Sequence, residues 1–328
     1  MVRIAATRRL AEGRSGRIVQ GLAREAVWYP ALAGRRAKRA GTDLLHCPHP
    51  VPVRGGPVPL VVTIHDLLPL RYPALFPRAT VAHTRLSVPF TRRARRLLTN
   101  SEHTRAEAVD RLGLPPEQVV ATPFGIDPRF RPVEVERDWL RRRFGLERSY
   151  VLSVGTVEPR KNLPATLRAF GLAAGRVPEH DLVVVGGAGW GSGAGPIGEA
   201  ARTLPRTPVF TGFVSDDELV RLYSAASCFV FPSLAEGFGF PPLEAMACGA
   251  PVVASDRPAL PEVIGDAGLL VDPTDPEAIA DAVASVLESE ELAGDLRRRG
   301  LERSARFTWE RCAELTAAVY RQVAAEAG

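Results

Sequence analysis

The sequence predicts an α/β protein built from two doubly wound, Rossmann-like domains. Short apolar runs rich in Val and Ile, such as LVVTI (60–64) and DLVVV (181–185), alternate with stretches of helical pattern. This alternation is typical of parallel sheets covered by helices on both faces. It occurs on both sides of a proline- and charge-rich segment at 128–148, and the 328 residues suffice for two domains.

The first half predicts three strands and two main helices. Pro89 is expected to interrupt the first helix, and Ser101 is expected to cap the second one. The predicted elements are a strand at 60–64, a helix from about 78 to 98, a short strand within 95–100, a helix from 101 to about 112 and a strand at 119–123.

The second half predicts six strands with helices between them. Ser215 and Glu218 have the spacing of a capping box, which opens a helix after the third strand. The strands are expected at 151–155, 181–187, 209–213, 228–233, 251–256 and 269–273, with helices near 163–173 and 243–249 and from about 276 to the end.

Composition excludes several classes of protein. No apolar run approaches the ~18 residues that a membrane-spanning helix needs, and the basic N-terminal stretch lacks the apolar core of a secretory signal. The four cysteines are scattered without paired spacing, which indicates reduced core residues rather than disulfides or a zinc site. We therefore expect a cytoplasmic protein.

Charge is distributed unevenly along the chain. Residues 1–100 hold 18 Lys and Arg against 4 Asp and Glu, whereas residues 151–328 hold 15 against 24. Residues 67–101 carry seven arginines and no acidic residue. Four of these arginines are predicted to share one helix face: Arg78, Arg85, Arg92 and Arg96. Such a stripe suits binding to the anionic inner face of a membrane or to a phosphorylated lipid carrier. The alternative is that it is an ordinary helix face exposed to solvent. The absence of interleaved aromatic residues argues against nucleic acid as a partner.

The segment EGFGFPPLE places two carboxylates, Glu236 and Glu244, on either side of a turn between a strand and a helix. Gly237 and Gly239 allow close approach of a ligand to the backbone. The two prolines after Phe240 can open the helix, whose start offers N–H groups and a positive dipole. This combination predicts a site for a sugar diphosphate; the alternative is a glycine turn that only caps the helix.

This segment, together with CGAPVVASDRPALPEVIGDAGLLVDP (248–273), resembles the paired-glutamate motif of retaining glycosyltransferases of family 4, in the glycogen synthase-like superfamily. The resemblance implies the GT-B arrangement, in which two Rossmann-like domains face each other across a cleft. It implies that Glu236 meets the hydroxyls of the donor sugar and that Glu244 meets the nucleotide ribose. The intervening residues that would line the donor site are Gly237, Phe238, Gly239 and Phe240.

The resemblance extends to a basic pair in the sequence EPRKN. Arg160 and Lys161 would neutralise the departing nucleoside diphosphate. No divalent cation is then required, and the absence of an Asp-x-Asp sequence agrees. Alternatively, the two residues form a basic pair on the surface at a helix start.

Two further positions are matched more weakly. Gly212, Phe213 and Val214 would supply backbone contacts to the nucleotide base, although core packing would explain Phe213 equally well. The resemblance implies that His65 forms a hydrogen bond with a hydroxyl of the donor sugar and that the adjacent Asp66 also lines the donor site. Alternatively, His65 is a loop residue that pairs with Asp66 or with the backbone.

Two alternative sites have less support. His46 and His49 lack the further ligands that a zinc site needs. Gly193, Gly195 and Gly198 form a formal G-x-G-x-x-G, but this match is displaced from the preceding strand end, so we expect a flexible loop rather than a dinucleotide site.

The resemblance divides the chain into an acceptor-side domain (1–132), a nucleotide-sugar domain (133–305) and a helix that returns to the first domain (306–328). Only about 43 residues precede the first matched position, so the first domain is expected to be incomplete.

The predicted function is transfer of a hexose, mannose or glucose, from a nucleoside diphosphate sugar to a glycan or lipid-linked acceptor, without cofactor or metal. The alternatives are a non-catalytic subunit that binds the donor and a nucleotide-sugar epimerase or hydrolase.

Overall fold

The computed structural model describes Tyr29 and residues 32–53, 56–187, 189, 194–202 and 204–327. The chain divides into two compact units. One unit runs from Phe124 to Trp309; the other comprises the residues up to Pro123 and those from Glu310 onward. The borders predicted from the sequence followed residues 132 and 305.

Among its described residues, the first unit contains a sheet of four parallel strands that follow one another in chain order. These are β1 (Leu45–Cys47), β2 (Leu60–Ile64), β3 (Arg96–Thr99) and β4 (Val119–Ala121). Every residue of β2 is buried, as expected of a strand covered on both faces. Val61 and Val62 accordingly belong to two different apolar clusters.

Helices of the first unit are α1 (Ala33–Arg39), α2 (Leu68–Arg71), α3 (Arg78–Ser87) and α4 (Glu102–Leu112). The Ser101 hydroxyl accepts a hydrogen bond from the Thr104 amide at 3.1 Å, which confirms the predicted cap of α4. The helix predicted to reach Leu98 ends at Ser87 instead. Residues Val88–Arg93 form a 3-10 helix that includes Pro89, and β3 follows.

The second unit contains a six-stranded parallel sheet of order β10-β9-β8-β5-β6-β7. Its strands are β5 (Ser149–Val154), β6 (His180–Val185), β7 (Val209–Gly212), β8 (Cys228–Phe231), β9 (Val252–Ser255) and β10 (Gly268–Val271). The chain moves outward from β5 to β7 and then returns to place β8 on the other side of β5. The strand order therefore reverses between β5 and β8. In sheets of this kind, ligands bind beyond the carboxyl ends of the strands at such a reversal.

Helices of the second unit are α5 (Arg137–Phe144), α6 (Leu163–Ala173), α7 (Ala194–Arg202), α8 (Asp216–Ser224), α9 (Phe240–Ala247), α10 (Leu260–Ile264), α11 (Pro276–Glu288) and α12 (Glu290–Ser304). The predicted capping box of Ser215 and Glu218 is present at the start of α8. In the glycine-dense segment, Gly193 lies outside the described residues. The expectation of a loop to residue 198 is wrong from Ala194 onward, where α7 begins.

The last helix is α13 (Trp309–Ala325). Its residues Val319 and Val323 are buried against Val61 and Leu98 of the first unit. No helix within the described part of the chain combines the length and the apolar character needed to cross a bilayer.

Candidate functional site

The chain segments that leave β5 and β8 carry the predicted basic pair and the first glutamate. Because β5 and β8 are hydrogen-bonded neighbours, their carboxyl ends bring residues about 75 positions apart into contact. A 3-10 turn, Pro159–Lys161, follows β5. The segment after β8 leads through Glu236 into α9. The reversal of strand order is thus where the charged groups meet.

Glu236 is the centre of a buried ion-pair network. Its carboxylate lies 2.7 Å from Lys161 Nζ and 2.6 Å from Arg160 Nη1, and only 7% of the residue is exposed. The Ser233 hydroxyl donates a third bond to Oε1 at 2.8 Å. Burial alone would raise the pKa of Glu236, but the charges of Lys161 and Arg160 outweigh it and hold that pKa below its usual value. Glu236 is therefore an ionised hydrogen-bond acceptor.

Arg160 connects this carboxylate to a second buried acid. Its Nη2 lies 2.6 Å from Glu158 Oε1, and its Nη1 also donates to the Ala235 carbonyl at 3.1 Å. The Nε–H is buried and has no acceptor within the described residues. Arg160 therefore retains one donor that the described chain does not use. The alternative of a surface basic pair is wrong, since both side chains are largely buried.

Lys161 packs against the strand from which Glu236 emerges. Its ammonium group lies 4.6 Å from the centre of the Phe231 ring and also forms the ion pair with Glu236. Burial lowers the pKa of Lys161, and the charge of Glu236 offsets that effect only in part. Lys161 also acts electrostatically on Glu244, where it lowers the pKa. This one cation therefore lies within electrostatic reach of both predicted glutamates.

Glu244, on α9, has a different environment. The Tyr223 hydroxyl of α8 donates to Glu244 Oε2 at 3.0 Å. Burial, followed by the charge of Asp216, raises the pKa of Glu244 to about 7, against the opposing effects of Tyr223 and Lys161. Glu244 thus changes its charge near neutral pH.

The backbone between the two glutamates is tightly constrained. Gly239 has φ +113°, and a Cβ placed there would lie 2.6 Å from Leu260 Cδ2. Phe238 is buried, and its ring lies 5.2 Å from that of Phe240. Phe240 starts α9, three residues before the predicted start. Because prolines occupy the next two positions and have no N–H, this helix offers fewer amide donors than we expected.

The predicted base-binding turn follows β7, at the edge of the sheet. Gly212 has φ +69°, and Val214 is buried. Phe213 is 87% exposed, so the alternative that it packs in the core is wrong. An exposed aromatic ring beside a glycine turn offers a flat surface for a ligand.

His65 and Asp66 follow β2 in the first unit, as predicted. His65 Nε2 lies 2.8 Å from the Pro48 carbonyl, and Asp66 Oδ1 accepts from the Leu68 amide at 3.0 Å. The backbone pairing considered for His65 is therefore present, and contact of His65 with a donor sugar stays a prediction.

The histidines considered for zinc do not form a metal site within the described chain. His46 Nδ1 lies 2.5 Å from the Tyr320 hydroxyl, and His46 Nε2 lies 2.9 Å from Thr63 Oγ1. Burial and then the charge of His65 lower the pKa of His46 to about 4. No group of three or more metal-binding side chains occurs among the described residues.

The predicted arginine stripe is wrong as a single helix face. Only Arg78 and Arg85 lie on α3, whereas Arg92 falls in the 3-10 helix and Arg96 in β3. Arg96 is also paired with Glu326 at 2.5 Å. Arg78 and Arg85 line a surface groove of about 640 Å³ whose other lining residues are Pro73, Val81, Ala82 and Leu86.

Three residues of the site were missed from the sequence. Glu158 and Ser233 bond to the basic pair and to Glu236, and Tyr223 bonds to Glu244. Glu158 stands two positions before Arg160, and Ser233 ends the predicted strand at 228–233, three positions before Glu236; both spacings were available signals. Nothing in the sequence around Tyr223 indicated its partner.

Comparisons with known proteins match both units of the chain. The family model described as Glycosyl transferases group 1 matches residues 138–303, and that of Glycosyltransferase Family 4 matches residues 7–130. O-antigen chain mannosyltransferase B of Escherichia coli is 33% identical over 265 residues, which cover 80% of this chain and 70% of that one. The serotype-specific mannosyltransferase WbdA of Escherichia coli is 30% identical over 81% of this chain, which spans 34% of its length.

Solved structures give the same fold. Sucrose-phosphate synthase from Thermosynechococcus elongatus matches with a TM-score of 0.71 and 26% identity, over 89% of this chain and 76% of that one. HepE from Anabaena, in complex with UDP and glucose, matches with a TM-score of 0.70 and 20% identity, over 90% and 81% of the two chains. The two parallel α/β units thus have the GT-B fold predicted from the sequence.

Proposed function

The chain belongs to the family of group 1 and family 4 glycosyltransferases, and from that premise we propose that it transfers a hexose from a nucleoside diphosphate sugar to a glycan or a lipid-linked acceptor. Mannose is favoured by the two mannosyltransferase relatives, with glucose as the second candidate. We propose uracil as one candidate for the base of the donor nucleotide, because the structural neighbour HepE binds UDP. The donor sugar would be a co-substrate, and no cofactor or metal is proposed.

The observation that carries this proposal is the ionised, buried Glu236 held by Lys161 and Arg160 at the reversal of strand order. A carboxylate with a lowered pKa is a hydrogen-bond acceptor for sugar hydroxyls rather than a proton donor. Two cations beside it suit the negative charge that develops on a departing diphosphate. The unused Nε–H of Arg160 and the multiple donors of Lys161 would shift toward that phosphate.

We propose retention of the anomeric configuration through displacement on one face of the sugar. The three bonds to the Glu236 carboxylate occupy it as a fixed acceptor, which disfavours a role as covalent nucleophile. The leaving phosphate would instead assist the incoming hydroxyl. Lys161 and Arg160 supply the charge stabilisation that a divalent cation provides in other transferases.

The acceptor side is proposed from the α3 groove. Arg78 and Arg85 have no acidic partner within 4 Å among the described residues, and Val81 and the 64% exposed Leu86 line the same groove. Guanidinium groups beside apolar side chains suit an anionic lipid surface. We therefore propose a peripheral position on an anionic membrane face, which flotation with anionic and neutral vesicles tests directly.

A donor screen by mass spectrometry tests the transferase. Purified protein is incubated with UDP- and GDP-linked hexoses, with and without candidate glycan acceptors, in the presence of a chelator. We expect hexose transfer to an acceptor, loss of turnover in Glu236→Ala, and weakened nucleotide binding in Glu244→Ala.

Two outcomes would overturn the proposal. Binding of a nucleotide sugar without turnover on any acceptor favours a non-catalytic donor-binding subunit. Conversion of the donor without an acceptor favours an epimerase or a hydrolase.

A further inference from the structure

We propose that Tyr223 is a positioning residue that fixes Glu244 for nucleotide binding by occupying one of its two carboxylate oxygens. The inference rests on the proposed function, since it concerns the same donor site. Tyr223 does not touch the ligand in this proposal; it acts through Glu244.

The geometry of Tyr223 leaves its hydroxyl few choices. The residue is fully buried, and its ring packs edge-on against Phe229 at 5.4 Å and Phe130 at 6.3 Å. The ring therefore cannot swing away from its site. Its hydroxyl donates to Glu244 Oε2 at 3.0 Å. A rigid donor held in the core fixes the rotamer of the glutamate that accepts from it.

The position of the bond decides what Glu244 can offer a nucleotide. With Oε2 taken by Tyr223, the other oxygen is the acceptor directed to a ribose hydroxyl. Tyr223 remains a donor because burial and the nearby charge of Glu244 keep its pKa well above the usual value. The bond thus also favours the charged form of Glu244, which is the form that accepts hydrogen bonds.

Other charged and titratable groups act on Glu244 from the surrounding elements. Asp216, at the start of α8, disfavours its charge, and Lys161 favours it. Cys248 directly follows α9, four residues after Glu244, and its pKa is raised by burial and by the charge of Glu244. Tyr223 is the group that combines a direct hydrogen bond with a fixed position. Its removal should therefore shift the balance toward the protonated carboxyl.

Tyr223→Phe tests this by removing the hydroxyl and keeping the ring. Calorimetric titration with UDP and with GDP, from about pH 6 to about pH 9, should show roughly tenfold weaker nucleotide binding near pH 7. The loss should shrink at high pH, where Glu244 is ionised even without Tyr223. In turnover assays KM for the donor should rise while kcat at saturating donor changes little.

Tyr150→Phe is the matched control. Tyr150 is equally buried, and its hydroxyl donates to the Leu222 carbonyl at 2.8 Å instead of to a site residue. This variant should lose some stability and retain the wild-type pH profile. Adding Tyr223→Phe to a Glu244→Gln background should cause little further loss of nucleotide affinity, because the two groups act as one unit.

The outcomes separate the two proposals. If wild-type protein binds neither UDP nor GDP, the proposed function fails. If it binds one of them and Tyr223→Phe binds it equally well, or loses the same factor at every pH, the role assigned to Tyr223 is wrong.

Discussion

The two glutamates of the EGFGFPPLE segment stand eight residues apart and have opposite electrostatics. Glu236, on the strand side, is held by two cations and a hydroxyl, and its pKa is lowered. Glu244, on the helix side, bonds to a neutral tyrosine, and its pKa is raised to about 7. The same residue type thus serves as a permanent anion in one place and as a titrating group in the other. The neighbours, and not the motif, decide which.

The largest effect is expected for Glu236→Gln. The substitution leaves Lys161 buried without a counter-charge and Arg160 with Glu158 alone, which should destabilise the protein by about 3–5 kcal/mol at neutral pH. Because the pKa of Glu236 is lowered, its stabilising effect is present above the unfolded pKa and is lost as pH falls through the folded pKa. Urea unfolding of both proteins at about pH 7 and at a strongly acidic pH measures the difference. Equal stability at neutral pH would contradict the ion-pair assignment.

Gly239→Ala should have the next largest effect, because it disturbs the link between the two glutamates. A side chain at φ +113° is strained, and its Cβ would meet Leu260. We expect a loss of about 1–3 kcal/mol in thermal unfolding. Gly294→Ala is the control: this glycine lies in α12 with nothing within 4 Å of an added Cβ, so alanine should stabilise it by up to about 1 kcal/mol.

Glu244→Gln should raise the free energy of unfolding at alkaline pH, whereas Glu236→Gln lowers it at neutral pH. Its raised pKa means that its contribution to stability is fully present below the unfolded pKa and is lost as pH rises through about 7. The glutamine keeps an oxygen for Tyr223 and removes the charge, so the variant should exceed wild type by about 1–2 kcal/mol at alkaline pH. Near the unfolded pKa the two should be equal. A pH-independent difference would show that Glu244 does not titrate as described.

The smallest effect on stability is expected for Phe213→Ser. Because the ring is 87% exposed, its loss should change the free energy of unfolding by no more than about 0.5 kcal/mol. Nucleotide affinity should fall if the ring contacts the base. Unchanged affinity for both UDP and GDP would remove Phe213 from the donor site.

The sequence predicted the six strands of the second unit well, because they are marked locally by β-branched runs, whereas α7 was missed because its start lies in a glycine-dense segment. The contact of Lys161 with Glu236 could not be predicted from the sequence, because it depends on β8 pairing with β5. The prediction of an arginine stripe on one helix face was wrong for a local reason. A helical period was extended through Pro89 into residues that form a 3-10 turn and a strand.

The placement of β8 beside β5 also governs how the ion-pair network around Glu236 forms. Two complete strand–helix units separate the basic pair from Glu236 in the sequence. The segment up to β7 therefore holds the two cations, and the segment from β8 onward holds the carboxylate that they bind. Under the proposed function, a break between β7 and β8 should give two fragments that are each inactive. Co-expression of the two fragments should restore activity only when they reassemble.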